Sequence, residues 1–270
     1  MKTAKPLLLF VLFFSIIYSC ATVPLTGRKQ LSLVGDAEIN QAAAASYSQL
    51  LSDPKTKVIA AGSDAQRVRR IGGQLSTAIE RYLRQNGYAD QYQFKWEFNL
   101  IQSSEINAWC MPGGKVAVYS GILPITQNDA GLATVMGHEI GHAIARHSAE
   151  RMSQQLAAQA GGAAVGAAVG GQSQVTQALV NQAYGIGGQL ALLKYSRDQE
   201  SEADRLGLTF MAMAGYDPHE AVAFWKRMQA QNKGGAQPEF LSTHPADATR
   251  IAAIEKLIPE AMKYYNPQNR

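Results

Sequence analysis

The pentapeptide His138-Glu139-Ile140-Gly141-His142 constrains this chain more than any other feature, because a fold must keep it on one helix and bring a further ligand to it. Residues four apart share a helix face, so both imidazoles can reach one metal ion, with Glu139 beside them. The apolar residues Leu132, Val135, Met136 and Ile140 give the same helix a buried back. Asn128 or Asp129 is its expected N-cap, and the pattern runs through Ala143 and beyond Met152. A catalytic zinc centre uses three protein ligands and keeps a fourth position open, so this reading needs a third ligand from elsewhere.

His147 is the nearest candidate. On one continuous helix at about 100° per residue it is turned by about 180° from His138 and about 140° from His142, which puts it at the surface or in a second layer. A metzincin would carry a His at position 148 and a Gly at 145, where this chain has Ser148 and Ala145. Downstream, Ser196-Arg197-Asp198-Gln199-Glu200-Ser201-Glu202-Ala203-Asp204 opens another helix, with Glu200 and Asp204 on one face. A carboxylate there can complete a His/His/Glu site, and Asp204 can accept the second ring N–H of a ligand histidine and fix its tautomer. Glu202 points elsewhere on that helix and reads as a decoy.

The N-terminus has the form of an export signal. Lys2 and Lys5 precede the apolar run from Leu7 to Ile17, which is too short to remain as a spanning helix. Its ending, Ile17-Tyr18-Ser19-Cys20, resembles a bacterial lipobox, with lipid attachment at Cys20, and Ala21 after it favours the outer membrane. The formal charge of +4 drops by those two lysines to 4 − 2 = +2, too little to argue for nucleic acid. With one of the two cysteines, Cys20 and Cys110, acylated, no intramolecular disulfide is expected.

The rest of the pattern is helical with a few strands. Asp36 is expected to cap a helix to about Leu51, and Ser63 with Gln66 a second one reaching about Gln85. Strict alternation from Tyr92 to Leu100 predicts a half-buried strand, followed by strands over 106–110 and 115–120 around the turn Met111-Pro112-Gly113-Gly114. Helices are further expected from about Tyr195 to Ala214, from Pro218 to Gln231 and from Pro245 to about Leu257. Residues 156–188, rich in Ala, Gly, Gln and Val, read equally as a flap or as a helical hairpin packed through small residues.

These residues resemble the metallopeptidase family of the CAAX prenyl endopeptidase and the HtpX-like proteases, in its soluble bacterial lipoprotein branch. The resemblance rests on HExxH at 138–142 and Glu200-x-x-x-Asp204, then on Asn107-Ala108 with Pro112-Gly113-Gly114, and loosely on Thr26-Gly27-Arg28-Lys29-Gln30-Leu31. It implies an α+β, predominantly α-helical gluzincin fold with a small antiparallel sheet. It further implies one zinc ion per chain on His138, His142 and Glu200, and Glu139 as general base. The segment Asn107, Ala108 and Trp109 would be an edge strand that takes up substrate peptide, and His244 and Arg250 would act at the metal, His244 either polarising the transition state or latching the resting enzyme.

The expected layout is a lipoprotein signal peptide over 1–19, a lipid-anchored tether over 20–35, the peptidase domain over 36–258 and a C-terminal tail over 259–270. The expected activity is endoproteolysis of misfolded or unassembled envelope proteins, membrane-anchored through Cys20 and facing the periplasm, with no nucleic acid as partner. A lipoprotein chaperone or assembly factor with a latched or structural zinc is the alternative, against which the intact Glu139 argues. No segment after residue 20 suits an integral-membrane protease.

Overall fold

The computed structural model describes residues 20–159, 178, 195–231 and 238–269. The expected signal peptide, and most of the 156–188 segment, lie outside the described residues. The stretch 20–35, expected as a tether, is folded. β1 (Cys20–Thr22) pairs antiparallel with β2 (Lys29–Leu31), and Val23 and Val34 are buried. Short alternating runs around a turn gave no sustained period, so the hairpin was not legible in the pattern.

α1 (Asp36–Ser52) and α2 (Ser63–Gln85) follow, both started without the side-chain caps expected of Asp36 and Ser63. Gly35 and Gly62 occupy those N-cap positions, and Gly62, at φ 98, supplies the carbonyl that Gln66 N–H reaches at 3.1 Å. α2 is amphipathic: Val68, Ile71, Leu75, Ile79 and Leu83 recur at helical spacing and are buried in the main core.

β3 (Glu97–Ile101), β4 (Ala108–Met111) and β5 (Lys115–Tyr119) form a sheet in the order β3-β5-β4. Gly113 and Gly114, at φ 79 and 84, turn β4 back onto β5 as an antiparallel pair. β3 and β5 run parallel, so the sheet is mixed where an antiparallel one was expected: the chain crosses over between 101 and 108 and leaves β4 at the edge. Of the strand expected from Tyr92 to Leu100 only the part from Glu97 forms; the alternating Tyr92, Phe94, Trp96 and Phe98 instead stack ring on ring, with Lys95 N–H bonding Gly113 O at 3.0 Å.

After the short α3 (Leu123–Thr126), Asn128 caps α4 (Asp129–Ile144) by accepting from Gly131 N–H at 2.8 Å. The expected long helix breaks here. Arg146 takes φ 54, and α5 (His147–Gln159) starts in a new direction. A non-glycine residue in that region costs about 1–2 kcal/mol, and tertiary contacts hold it. The guanidinium lies 4.3 Å over the Tyr92 ring and bonds Asp36 and the Gln91 carbonyl, while Tyr92 O–H donates to Ile144 O at 2.7 Å.

α6 (Arg197–Met213) begins with a full capping box, Ser196 with Gln199. It crosses α4 backbone to backbone: a Cβ on Gly207 would sit 2.8 Å from His138 N and 2.9 Å from Gly137 C, and one on Gly141 would sit 2.9 Å from Ala203 O. That approach lets short side chains from both helices meet. Gly207→Ala is therefore expected to lower stability by about 1–3 kcal/mol, read as an earlier thermal unfolding midpoint; an unchanged midpoint would mean the crossing is not tight.

α7 (Glu220–Ala230), α8 (Glu239–Thr243) and α9 (Ala248–Ala261) close the fold, α9 capped by Asp247. Residues 259–269, expected as part of a tail, are folded: Ala261 is buried and Glu260 pairs with Arg205 at 2.7 Å. The architecture is a predominantly helical α+β fold with small sheets. Among the described residues no helix is long and apolar enough to cross a membrane.

Candidate active site

α4 presents His138 and His142 one turn apart, and α6 presents Glu200 opposite them, all buried. The two Nε2 atoms are 3.1 Å apart; Glu200 Oε1 lies 3.3 Å from His142 Nε2, and Oε2 lies 3.5 Å from His138 Nε2. His244, just after α8, adds its Nδ1 at 3.2 Å from His138 Nε2 and 2.8 Å from Glu200 Oε1. One ligand atom from each of the four lies within 4.8 Å of the others.

The partners of the ring nitrogens fix which of them are bare. Asp204 Oδ1, 2.9 Å from His138 Nδ1, holds a proton on that nitrogen. On the other side Glu202 Oε2 accepts from His147 Nε2 at 3.0 Å, which leaves His147 Nδ1 as an acceptor. His142 Nδ1, at 2.8 Å, must then donate to it, and His142 Nε2 is bare. Burial supports these neutral forms, lowering the pKa of His142 well below its ordinary value and that of His147 less so. His138 differs: burial lowers its pKa, but Asp204 and Glu200 more than offset this, and the same carboxylates favour a metal cation at that point.

These residues fit a metal. Two imidazole Nε2 atoms 3.1 Å apart beside an anionic carboxylate suit a cation shared between them. Ligand atoms at about 2.0–2.1 Å from a tetrahedral zinc lie about 3.3–3.4 Å from each other, and the observed separations of 3.1, 3.3 and 3.5 Å bracket that. Glu200 Oε2 is buried with no aligned hydrogen-bond donor, although Arg250 Nη1 lies 2.9 Å away. Burial alone would raise Glu200's pKa, but His244, Arg250 and the two histidines hold it well below the carboxylate range, so it stays an anion.

Glu139 faces the same space from α4. Its Oε1 is buried without a hydrogen bond, 3.5 Å from His244 Nε2, and burial pushes its pKa up to about 7 against the pull of His244. Such a carboxyl is matched to taking and returning a proton near neutral pH. Arg250 grips Asp204 with two bonds of 2.8 Å and stacks 3.6 Å over Trp225. Its Nη2 also lies 3.4 Å from His138 Nδ1 and its Nη1 2.9 Å from Glu200 Oε2, so it reaches the ligand groups directly as well as through Asp204.

β4 lies at the sheet edge beside α4, and its residues are buried. Asn107 turns its carbonyl to Tyr119 N–H at 3.0 Å, so Ala108 faces away from β5, and its N–H is taken by Asn107 Oδ1 at 2.9 Å. Trp109 packs edge-on to Tyr47, and Cys110 is a buried thiol whose pKa burial raises well above normal. The Ile106 carbonyl is bonded by Phe240 N–H at 3.2 Å, so the segment carrying His244 is joined to the start of this strand.

Of the two places the sequence allowed His147, surface or second layer, the structure takes the second layer, whereas Glu202 was missed as a working part of the site. His147 is wholly buried against His142, because the break at Arg146 turns it back, and Glu202, read as a decoy, is its partner. Tyr195, stacked 4.0 Å on the His142 ring, was missed too, since a lone Tyr before a helix carries no signal.

A paired His/His on one helix, a Glu from a second helix and a neighbouring carboxylate as base define a metallopeptidase site of the gluzincin type. Residues 71–258 match the model of Peptidase family M48. The chain belongs to peptidase family M48, a family of zinc metallopeptidases. It is similar to the mitochondrial metalloendopeptidase OMA1 of Schizosaccharomyces pombe, 33% identical over 188 residues, covering 69% of this chain and 53% of that protein. It is 30% identical over 262 residues to the mitochondrial metalloendopeptidase OMA1 of Bos taurus, covering 95% of this chain and 49% of that one. With the beta-barrel assembly-enhancing protease of Escherichia coli it shares 29% identity over 174 residues, 61% of this chain and 35% of that protein. The chain thus spans about half the length, or less, of the curated relatives it matches.

Proposed function

We propose that this chain is a zinc-dependent metalloendopeptidase that hydrolyses envelope proteins. The observation that carries the reading is the convergence of two bare imidazole nitrogens and the Glu200 carboxylate on one point, with Glu139 buried next to it. His138, His142 and Glu200 would hold zinc, which when bound would supply Lewis-acid chemistry toward water and a peptide carbonyl. Glu139 takes the proton from that water and returns it to the leaving amine. Asp204 and His147 keep the ligand nitrogens bare, and Arg250 fixes Asp204.

An export signal ending at Cys20 supports a periplasm-facing, lipid-anchored protein of a bacterial envelope, at the outer membrane. The E. coli relative is by name a protease that enhances β-barrel assembly, which supports unassembled envelope proteins as substrates and quality control as the role. The test is zinc content and casein cleavage by the purified chain.

His244 favours a latched resting form. Its Nδ1 sits within the ligand cluster, and its segment is bonded to the start of β4, the strand onto which a substrate would add. Freeing that position removes a competing state, so His244→Ala is expected to raise casein cleavage on the order of tenfold. A loss of cleavage instead would assign His244 to transition-state polarisation. A zinc-loaded His244→Ala protein that still cuts nothing would favour the chaperone reading.

A further inference from the structure

We propose that the N-terminal hairpin belongs to the metal site, with Thr26 and Arg28 acting as positioning residues that hold ligand His142 through Glu202 and His147. The hairpin turn brings both side chains onto α6: Thr26 O–H donates to Glu202 Oε1, and Arg28 Nε donates to Glu202 Oε2 at 2.6 Å. The other arm of the same guanidinium bonds Glu150 of α5 at 2.9 and 3.0 Å, and Glu150 also accepts from Gln199 Nε2 at 2.8 Å. Arg28 therefore ties together the two helices that flank the site, through carboxylates that are both buried.

The chain of bonds has a direction. Arg28 Nε shares Glu202 Oε2 with His147 Nε2 and Thr26 takes Oε1, so together they fix how the carboxylate meets His147. A fixed Glu202 keeps the proton on His147 Nε2, His147 Nδ1 then accepts from His142 Nδ1, and His142 Nε2 faces the metal bare. With Thr26 and Arg28 gone, Glu202 can rotate, His147 can take its other tautomer, and His142 then loses the acceptor that keeps its proton off Nε2. An imidazole protonated at Nε2 cannot ligate from that atom.

The inference rests on the zinc-site reading, and the experiment separates the two. Zn²⁺ affinity of the full chain is measured by competition with a chromophoric chelator. The variants are Arg28→Met, Arg28→Lys, Thr26→Val, Glu202→Gln and the Arg28→Met/Glu202→Gln double variant, with Arg205→Met as a control. Loss of a partner directly behind a ligand histidine typically weakens metal binding about 10–100-fold, expected for Glu202→Gln, and about 3–10-fold is expected one step further out for Arg28→Met. The double variant should bind no more weakly than Glu202→Gln alone, since both act through one chain.

Arg28→Lys, which keeps a charge near Glu202, should fold and fall between wild type and Arg28→Met. Arg205 of α6 pairs with Glu260 of α9, so Arg205→Met should stay within about twofold of wild type. Co²⁺-loaded Arg28→Met should also show an altered ligand-field spectrum. An unchanged affinity in Arg28→Met, full additivity in the double variant, or an equal loss in Arg205→Met overturns the positioning role. Wild type that binds no Zn²⁺ overturns the zinc-site reading itself.

Discussion

With Glu139 replaced by glutamine, hydrolysis is expected to fall about 10²–10⁴-fold while the zinc content stays at the wild-type level. Glutamine keeps the volume and one carbonyl oxygen of the side chain but cannot accept a proton at neutral pH. Glu139 is not among the groups that converge as ligands: His244 Nε2 lies 3.5 Å from its Oε1, and that oxygen has no hydrogen bond. Nothing that holds the metal is therefore removed. Stability should not drop either, because burial disfavours the charged carboxylate and pushes its pKa to about 7, so a neutral amide of the same shape avoids that cost. Zinc per chain, casein turnover and the unfolding midpoint, measured on one preparation, check all three. Turnover within tenfold of wild type would remove Glu139 from the role of base, and loss of zinc would make it a ligand.

The grouping of His138, His142 and Glu200 was legible in the sequence because these residues obey local geometry. His138 and His142 lie one turn apart on a helix whose cap, Asn128, was also readable, and Glu200 and Asp204 repeat that spacing on α6. Asp204 meets His138 Nδ1 at 2.9 Å, as its place one turn from Glu200 suggested. What escaped was set by tertiary contacts. Arg146 ends α4 in a left-handed conformation that no local signal announces, because its support comes from Tyr92, Asp36 and the Gln91 carbonyl.

That one break decides where two residues sit. A rotation of about 140° holds only along a continuous helix, whereas His147 begins a new one and faces His142. Glu202 then has a partner that its position on α6 alone could not reveal. The hairpin over 20–31 was hidden for a similar reason: its strands are three residues each, and much of its hold on the body is made by Arg28 and Thr26 on distant carboxylates. The parallel pairing of β3 with β5 likewise depends on a crossover that alternation cannot encode.

The same substitution at the other carboxylate is expected to give the opposite pair of readings. Glu200→Gln should bind zinc at least about 10²-fold more weakly, beyond the loss caused by partners outside the ligand shell, and it should lose cleavage with the metal. A carboxamide offers a neutral oxygen where the site uses an anion beside two imidazoles. Without metal, the change also bears on stability. Burial works to raise Glu200's pKa, but His244, Arg250 and the hydrogen bonds of His138 and His142 hold it well below the ordinary carboxylate value. A depressed folded pKa gives stability that is present above about 4.5 and lost as pH falls below it. Metal-free wild type should therefore lose stability on acidification from pH 5 downward more steeply than metal-free Glu200→Gln, read by chemical unfolding at each pH. Equal slopes would mean that Glu200 is not held as a buried anion. Zinc retained in Glu200→Gln and lost in Glu139→Gln would exchange the two carboxylates, because each would then carry the role assigned to the other.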